Sequence, residues 1–177
     1  MRGVTAPSRY SPAARRLHWL TLALLLMLWP LGATMAGVED VDTRRTLYQV
    51  HAALGWLTAL VVLVRIVVKW RAPAPAPLEG MSALHARGVK LTHIAIYVVL
   101  LLTCLSGTGT VAALQYVPFL RGGPLPEPRE EFIPPVAMHG VLPWLLVGLV
   151  VAHVVGVLRF ERLRGGVLAR MRMENPD

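Results

Sequence analysis

The sequence predicts an all-α integral membrane protein, a four-helix bundle with both termini in the cytoplasm, and three observations carry that reading. The apolar residues, 55% of the 177, come in long uncharged blocks instead of short periodic ones. Four blocks, residues 17–38, 46–64, 91–120 and 132–158, hold no Asp, Glu, Lys or Arg over 22, 19, 30 and 27 positions. Each is long enough to cross a hydrocarbon core of about 30 Å, with some tilt for the longer ones. The second observation is where the charge lies. Of the 18 Lys and Arg residues, 14 fall in the N-terminal segment, the connection between the second and third blocks, and the tail, whereas the other two connections hold 4 against six acids. By the positive-inside rule this places both termini in the cytoplasm. The third is a pair of histidines, His139 and His153, 14 residues apart in the last block. On a helix that spacing is about 21 Å of rise and within roughly 40° of four full turns, so both imidazoles leave one face.

Composition also excludes alternatives. The net charge of +8 comes from residues that flank the apolar blocks, so it reads as topology and not as a nucleic-acid surface. Cys104 is the single cysteine, which rules out an intramolecular disulfide and a Cys-pair metal site. The absence of C-x-x-C-H excludes covalent haem attachment of the c type. Connections between the blocks are too short for a second domain, so one transmembrane domain over residues 9–172 is expected, with spans at about 17–38, 46–68, 89–114 and 134–158.

Span one follows Arg2, Arg9, Arg15 and Arg16. Its run is longer than a secretory h-region and holds His18, Trp19 and Pro30, so it is expected to remain as a span. A short acidic connection with Arg44 and Arg45 leads into span two, which carries His51 near its start. Arg65, Lys69 and Arg71 mark a basic exit, and the alternating Ala and Pro residues of 72–77 make a stiff linker that cannot continue the helix. Residues 81–90, with His85, Arg87 and Lys90, are expected to form a short interfacial helix before span three. Span three holds His93 about one turn in, and a small-residue patch of Ser106, Gly107, Thr108 and Gly109 where a helix or a flat ligand packs closely. The connection 121–131 is rich in Pro and Gly and net acidic, and span four then runs into a tail with five arginines.

Alternate spans run in opposite directions, so each histidine acquires a depth. His51 and His139 lie toward the outside, and His18 and His153 toward the cytoplasm. Ionisable groups at such depths are costly and are functional by default. Two pairs of facing imidazoles without a carboxylate or thiolate at their depth do not suit zinc or calcium. They suit haem iron, which needs one axial His on each side. Gly55, Gly140 and Gly156 lie near the pairs and leave room for a ring edge, although helix packing accounts for them equally well. Arg16 on the inside, and Arg44 and Arg45 outside, are candidates for contact with haem propionates. His93 and Lys90 are candidates for contact with a quinone or an inner propionate, while His85 reads as interfacial.

The residues Arg-Arg-Leu-His-Trp at 15–19, Leu-Tyr-Gln-Val-His-Ala-Ala-Leu-Gly at 47–55, His-Ile-Ala-Ile-Tyr at 93–97 and the pair His139 and His153 resemble the bacterial cytochrome b561 family. The resemblance covers residues 9–172 and implies two haem b groups, the outer one ligated by His51 and His139 and the inner one by His18 and His153. It also implies a multi-pass protein of the bacterial inner membrane that passes single electrons from a periplasmic donor, superoxide in the best-defined activity, to ubiquinone at the cytoplasmic side. The alternative it leaves is a cytochrome b subunit serving a separate periplasmic redox partner. Two departures stand out. The outer connections are net negative, and Lys90 stands where relatives often carry another His.

Overall fold

The computed structural model describes residues 9–72, 75–76, 78, 80–127 and 131–173, so Arg2, Arg129 and the linker positions Pro73, Ala74 and Pro77 lie outside the described residues. Five α-helices follow in order: α1 (Pro12–Thr34), α2 (Val41–Arg71), α3 (Ala83–Ala113), the short α4 (Tyr116–Leu120) and α5 (Pro134–Arg164). Single turns of 3-10 helix follow α1 at Met35–Gly37 and α5 at Leu168–Met171. Among the described residues all regular structure is helical. Four of these helices are long and apolar enough to cross a membrane.

The starts are set by local chemistry. Ser11 accepts the Ala14 N–H at 3.3 Å ahead of Pro12, whose missing N–H is not needed in the first turn. Asp40 accepts the Thr43 N–H at 2.8 Å, and Ser82 accepts that of His85 at 3.2 Å. Pro134 opens α5 without a side-chain cap. α2, α3 and α5 each extend to 31 residues, about 46 Å, and so overrun the charge-free blocks. Their added turns carry Arg65, Lys69, Arg87, Lys90 and Arg162, whose long side chains can reach a polar surface from a helical backbone. For the same reason residues 83–90 are the first turns of α3, and the separate interfacial helix expected at 81–90 does not form. At the other end α3 stops at Ala113, before the limit of its uncharged block, because Gln115 adopts a left-handed conformation (φ 53°) and turns the chain into α4.

The bundle consists of two hairpin-like pairs. α3 packs along α5 and α1 along α2, and contact between α2 and α3 joins them. Val62, Val99, Leu100 and Leu146 form the buried core where α2, α3 and α5 meet. Much of the remaining apolar surface points outward: Leu26, Leu60, Leu105 and Val141 are each more than half exposed in mid-helix. A monomer in water rarely tolerates such a surface, and lipid covers it without cost.

Two ends are distinguishable, a terminal end where α1 starts and α5 finishes, and a loop end where residues 35–40 and 114–133 connect the helices. At the loop end α4 is fastened to α2 through Arg45. Its Nε donates to the Phe119 carbonyl at 2.9 Å, one terminal nitrogen donates to Gly123 O at 3.0 Å, and the other pairs with Asp42 at 2.6 Å. Gln49 adds a bond to Leu120 O at 2.7 Å, and Phe119 is fully buried beneath the guanidinium. Replacing Arg45 by Ala strips the donors from two carbonyls, a loss of about 1.5–3 kcal/mol for bonds to a charged group. Hydrogen exchange of residues 116–123 in Arg45→Ala is expected to rise well above wild type while the centres of α3 and α5 stay protected.

Candidate functional site

Five histidines are gathered into two groups inside the bundle. At the loop end His51 of α2 faces His139 of α5 with ring centres 6.1 Å apart. At the terminal end His18 of α1 faces His153 of α5 at 6.4 Å, and His93 of α3 stands 4.9 Å from His153. The four histidines singled out in the sequence are therefore brought together as the pairs that the alternating direction of the spans predicts. His85, the sixth, packs on Phe160 at 5.6 Å away from both groups.

Each ring at the loop end is seated over a glycine of its partner helix. A Cβ on Gly107 of α3 would lie 2.8 Å from His139 Cε1, and one on Gly32 of α1 would lie 2.9 Å from His51 Cε1, both too close to be accommodated without moving the ring. Gly109 serves helix packing instead, since a Cβ there would meet Pro135 at 2.9 Å. Of the glycines chosen from the sequence, Gly55 lines the cavity between the rings, whereas Gly140 and Gly156 have no such neighbour within 4 Å. The cavity measures about 560 Å³ and is walled by apolar groups such as Leu25, Trp29, Cys104 and Val150.

Hydrogen bonds fix the state of individual rings. His139 Nδ1 lies 3.0 Å from the Thr103 carbonyl, and a carbonyl only accepts, so this nitrogen carries the hydrogen and Nε2 keeps its lone pair. Ser106 Oγ stands 3.2 Å from the same nitrogen and donates to the same carbonyl at 2.9 Å. His93 is held likewise, with Nδ1 2.7 Å from Val89 O. His51 Nδ1 is buried and has no hydrogen-bond partner. His18 Nδ1 accepts from Arg65 Nη2 at 2.6 Å, since a guanidinium carries only donors, so the hydrogen of the neutral His18 ring is on Nε2, the opposite tautomer to that of His139.

The arginines named in the sequence make contacts with the loops and the tail end. Arg44 Nε donates to Val38 O at 2.6 Å and Arg45 is committed to α4, so both are engaged by the loops. Arg16 is exposed, while the buried Arg15 donates to the carbonyl of Arg172 in the tail. Lys90 is exposed on the first half of α3. The cation beside a histidine is Arg65, which also stacks on the Tyr97 ring at 5.3 Å, with Lys69 at 5.2 Å from the same ring. A signal for it was present: Arg65 follows His51 by 14 residues, the same spacing that puts His153 beneath His139.

The chemistry of the donor set can be tested against haem. Two imidazoles bound to one iron place their ring centres about 6.3 Å apart, from roughly 2 Å per iron–nitrogen bond and roughly 1.2 Å from each nitrogen to its ring centre. The separations of 6.1 and 6.4 Å match that span, and the 4.9 Å between His93 and His153 is too short for it. The apolar cavity and the bare Nε2 of His139 agree with an iron–porphyrin ligand at the loop end. Among the described residues no group of three or more His, Cys, Asp or Glu side chains is arranged to hold a bare metal ion.

Comparison with known proteins gives the same direction. The family model of prokaryotic cytochrome b561 matches residues 9–173. A curated relative, cytochrome b561 homolog 2 of Escherichia coli, is 24% identical over 108 residues, which are 60% of this chain. The match spans 57% of the length of that relative.

The glycine seats lead to a direct expectation. Gly107→Ala should push the His139 ring aside and lower the haem content of the purified protein, whereas Gly140→Ala, whose Cβ meets no side chain within 4 Å, should leave it at the wild-type level. The ratio of haem to protein by pyridine haemochrome assay checks both.

Proposed function

The chain belongs to the prokaryotic cytochrome b561 family, membrane-bound b-type cytochromes of electron transfer, and on that footing we propose that it is a di-haem oxidoreductase that carries single electrons across the bacterial inner membrane. In this reading both termini are cytoplasmic, so the loop end is periplasmic and the terminal end faces the cytoplasm. His51 and His139 would hold the outer haem b, and His18 and His153 would hold the inner one, which requires the His18 tautomer with its hydrogen on Nδ1 in place of the contact with Arg65. The observation that supports this most is the spacing of the two pairs, 6.1 and 6.4 Å between ring centres. When bound, each haem supplies a one-electron couple; the protein contributes ligation, burial and charge. Thr103 and Ser106 hold His139 in the tautomer that ligates through Nε2. The walls of the apolar cavity exclude water from the iron.

Superoxide is the proposed donor at the periplasmic end, giving up one electron and leaving as O2, and ubiquinone is the proposed acceptor at the cytoplasmic end. His93, with Nδ1 tied to Val89 O, keeps Nε2 for a quinone carbonyl or a propionate, and Lys90 lies three residues before it on α3. One observation favours a second reading, in which a separate periplasmic protein delivers the electrons. Arg45 is paired with Asp42, which offsets its charge, and the outer connections carry six acids against four arginines, so the loop end offers little net positive charge to steer an anion toward the outer pair.

Stopped-flow mixing of the purified protein with superoxide and a ubiquinone separates the two. Haem reduction faster than the spontaneous loss of superoxide supports direct oxidation, and reduction only on addition of a periplasmic redox protein supports the second reading. The ligand assignment has its own check. His51→Ala and His153→Ala should each lose about half of the haem, and their reduced-minus-oxidised spectra should lose different components.

A further inference from the structure

Three cations of the terminal end converge where α2 meets α3. Arg65 and Lys69, one turn apart on α2, both reach the ring of Tyr97 on α3, with the guanidinium carbon 5.3 Å and the ammonium nitrogen 5.2 Å from its centre. Lys90 of α3 lies within electrostatic range of Lys69, so a third positive charge stands beside them on the other helix. Among the described residues the acid at this end is Glu161 of α5, and its Oε2 is occupied by the Val167 and Leu168 N–H groups at 2.8 and 3.1 Å. A ring face attracts each cation without neutralising it, and like charges brought together repel. Charges that serve only to set topology have no reason to converge in this way. Arg159 and Arg162, at the same end on α5, are exposed beside apolar side chains of their own helix.

The height of the cluster says what it meets. Trp70 follows Lys69 and is 82% exposed, and Leu91 follows Lys90 and is 65% exposed. An exposed tryptophan at the end of a spanning helix sits at the level of the lipid head groups, and exposed leucine beside it meets acyl chains. We propose that Arg65, Lys69 and Lys90 form a site for the phosphate of an anionic phospholipid, seated between α2 and α3 at the terminal end with its chains along the exposed apolar surface. A phosphodiester brings the negative charge and the acceptor oxygens that the three cations lack. Arg65 engages His18 Nδ1 through one nitrogen, and its charge remains. A free phosphate offers the same oxygens without the chains, and the test separates the two. The site needs neither haem nor a particular electron donor, so it stands or falls apart from the proposed function.

Native mass spectrometry of the full-length purified protein in detergent, with phosphatidylglycerol or phosphatidylcholine added at equal concentration, tests this. Wild type should retain one phosphatidylglycerol molecule, with a preference over phosphatidylcholine of about tenfold or more. Lys69→Gln and Lys90→Gln should each lower that preference about fivefold, and Lys69→Arg should keep it. Both lysines are exposed, so these substitutions leave the packing of the helices in place. Arg159→Gln and Arg162→Gln, which remove charge from the same end outside the cluster, should leave the preference unchanged. The proposal is overturned if the two lipids are retained equally, if neither lysine variant lowers the preference, or if the α5 variants lower it as much as the lysine variants do. Displacement of phosphatidylglycerol by millimolar inorganic phosphate would also overturn it, by making the site one for a free anion.

Discussion

The seat of His139 on α3 is the contact on which the rest of the arrangement depends. A neutral imidazole in an apolar interior must place its N–H on an acceptor, and helix carbonyls are already engaged by the residue four positions on. The Thr103 carbonyl can accept a second bond because Gly107, one turn away, has no side chain to cover it, and because Ser106 beside it is small. This requires α5 to approach α3 closely along its length, and those two helices are the most extensively packed in the molecule. The same device recurs in the other pair, where Gly32 of α1 lies beneath His51 of α2. Each hairpin-like pair thus offers a histidine from one helix across a glycine of the other. The contact of α2 with α3 then sets how far apart the two rings stand.

Two prolines shape the same half of the bundle. Pro143 cannot donate to the carbonyl of His139, and Pro30 cannot donate to that of Leu26, so α1 and α5 each lose one rung beside the cavity. Both prolines line that cavity, and the neighbouring tryptophans Trp29 and Trp144 meet edge to face at 5.1 Å. The tryptophan contact joins α1 and α5 at this end, as the His18 and His153 pair does at the other. The missing rungs leave two helix carbonyls, those of Leu26 and His139, without their usual backbone donor on helices that wall the cavity.

Much of this was legible in the sequence because it depends on period and direction alone. Charge-free blocks gave the four long helices, and spacing by 14 residues with alternating chain direction gave the histidine pairs. Gly107 is legible as part of the small-residue patch on span three, whereas Gly32 carries no signal of its own, because a ring projects onto the facing helix and its seat is not among the chain neighbours Gly55, Gly140 and Gly156. Identifying that seat requires knowing which helices pair. Arg44 and Arg45 were assigned by depth, and their actual partners are carbonyls in α4 and in the preceding turn, contacts that no periodicity encodes. Arg65 was within reach of the helical argument. Its position among basic residues that mark topology concealed that its face is the one His51 defines.

The connecting segments close both ends of the bundle over the histidines. α4 places Tyr116 and Leu120 against the loop-end cavity. At the terminal end the chain turns at Gly165 and Gly166, both with positive φ, and returns across the start of α1. There the Trp19 indole, itself 5.3 Å from the His18 ring, donates to Met171 O at 2.9 Å, Arg15 donates to Arg172 O, and Arg170 reaches Ala76 O at 2.6 Å. With both ends covered, the cavity wall that reaches the outer surface is made of side chains such as Leu26 and Val151 of α1 and α5 and Trp56 and Leu105 of α2 and α3, which line the cavity and are also exposed. In a membrane that surface meets acyl chains. For the proposed function, a lipid-soluble ligand would therefore reach the loop-end cavity beside His51 and His139 from within the bilayer.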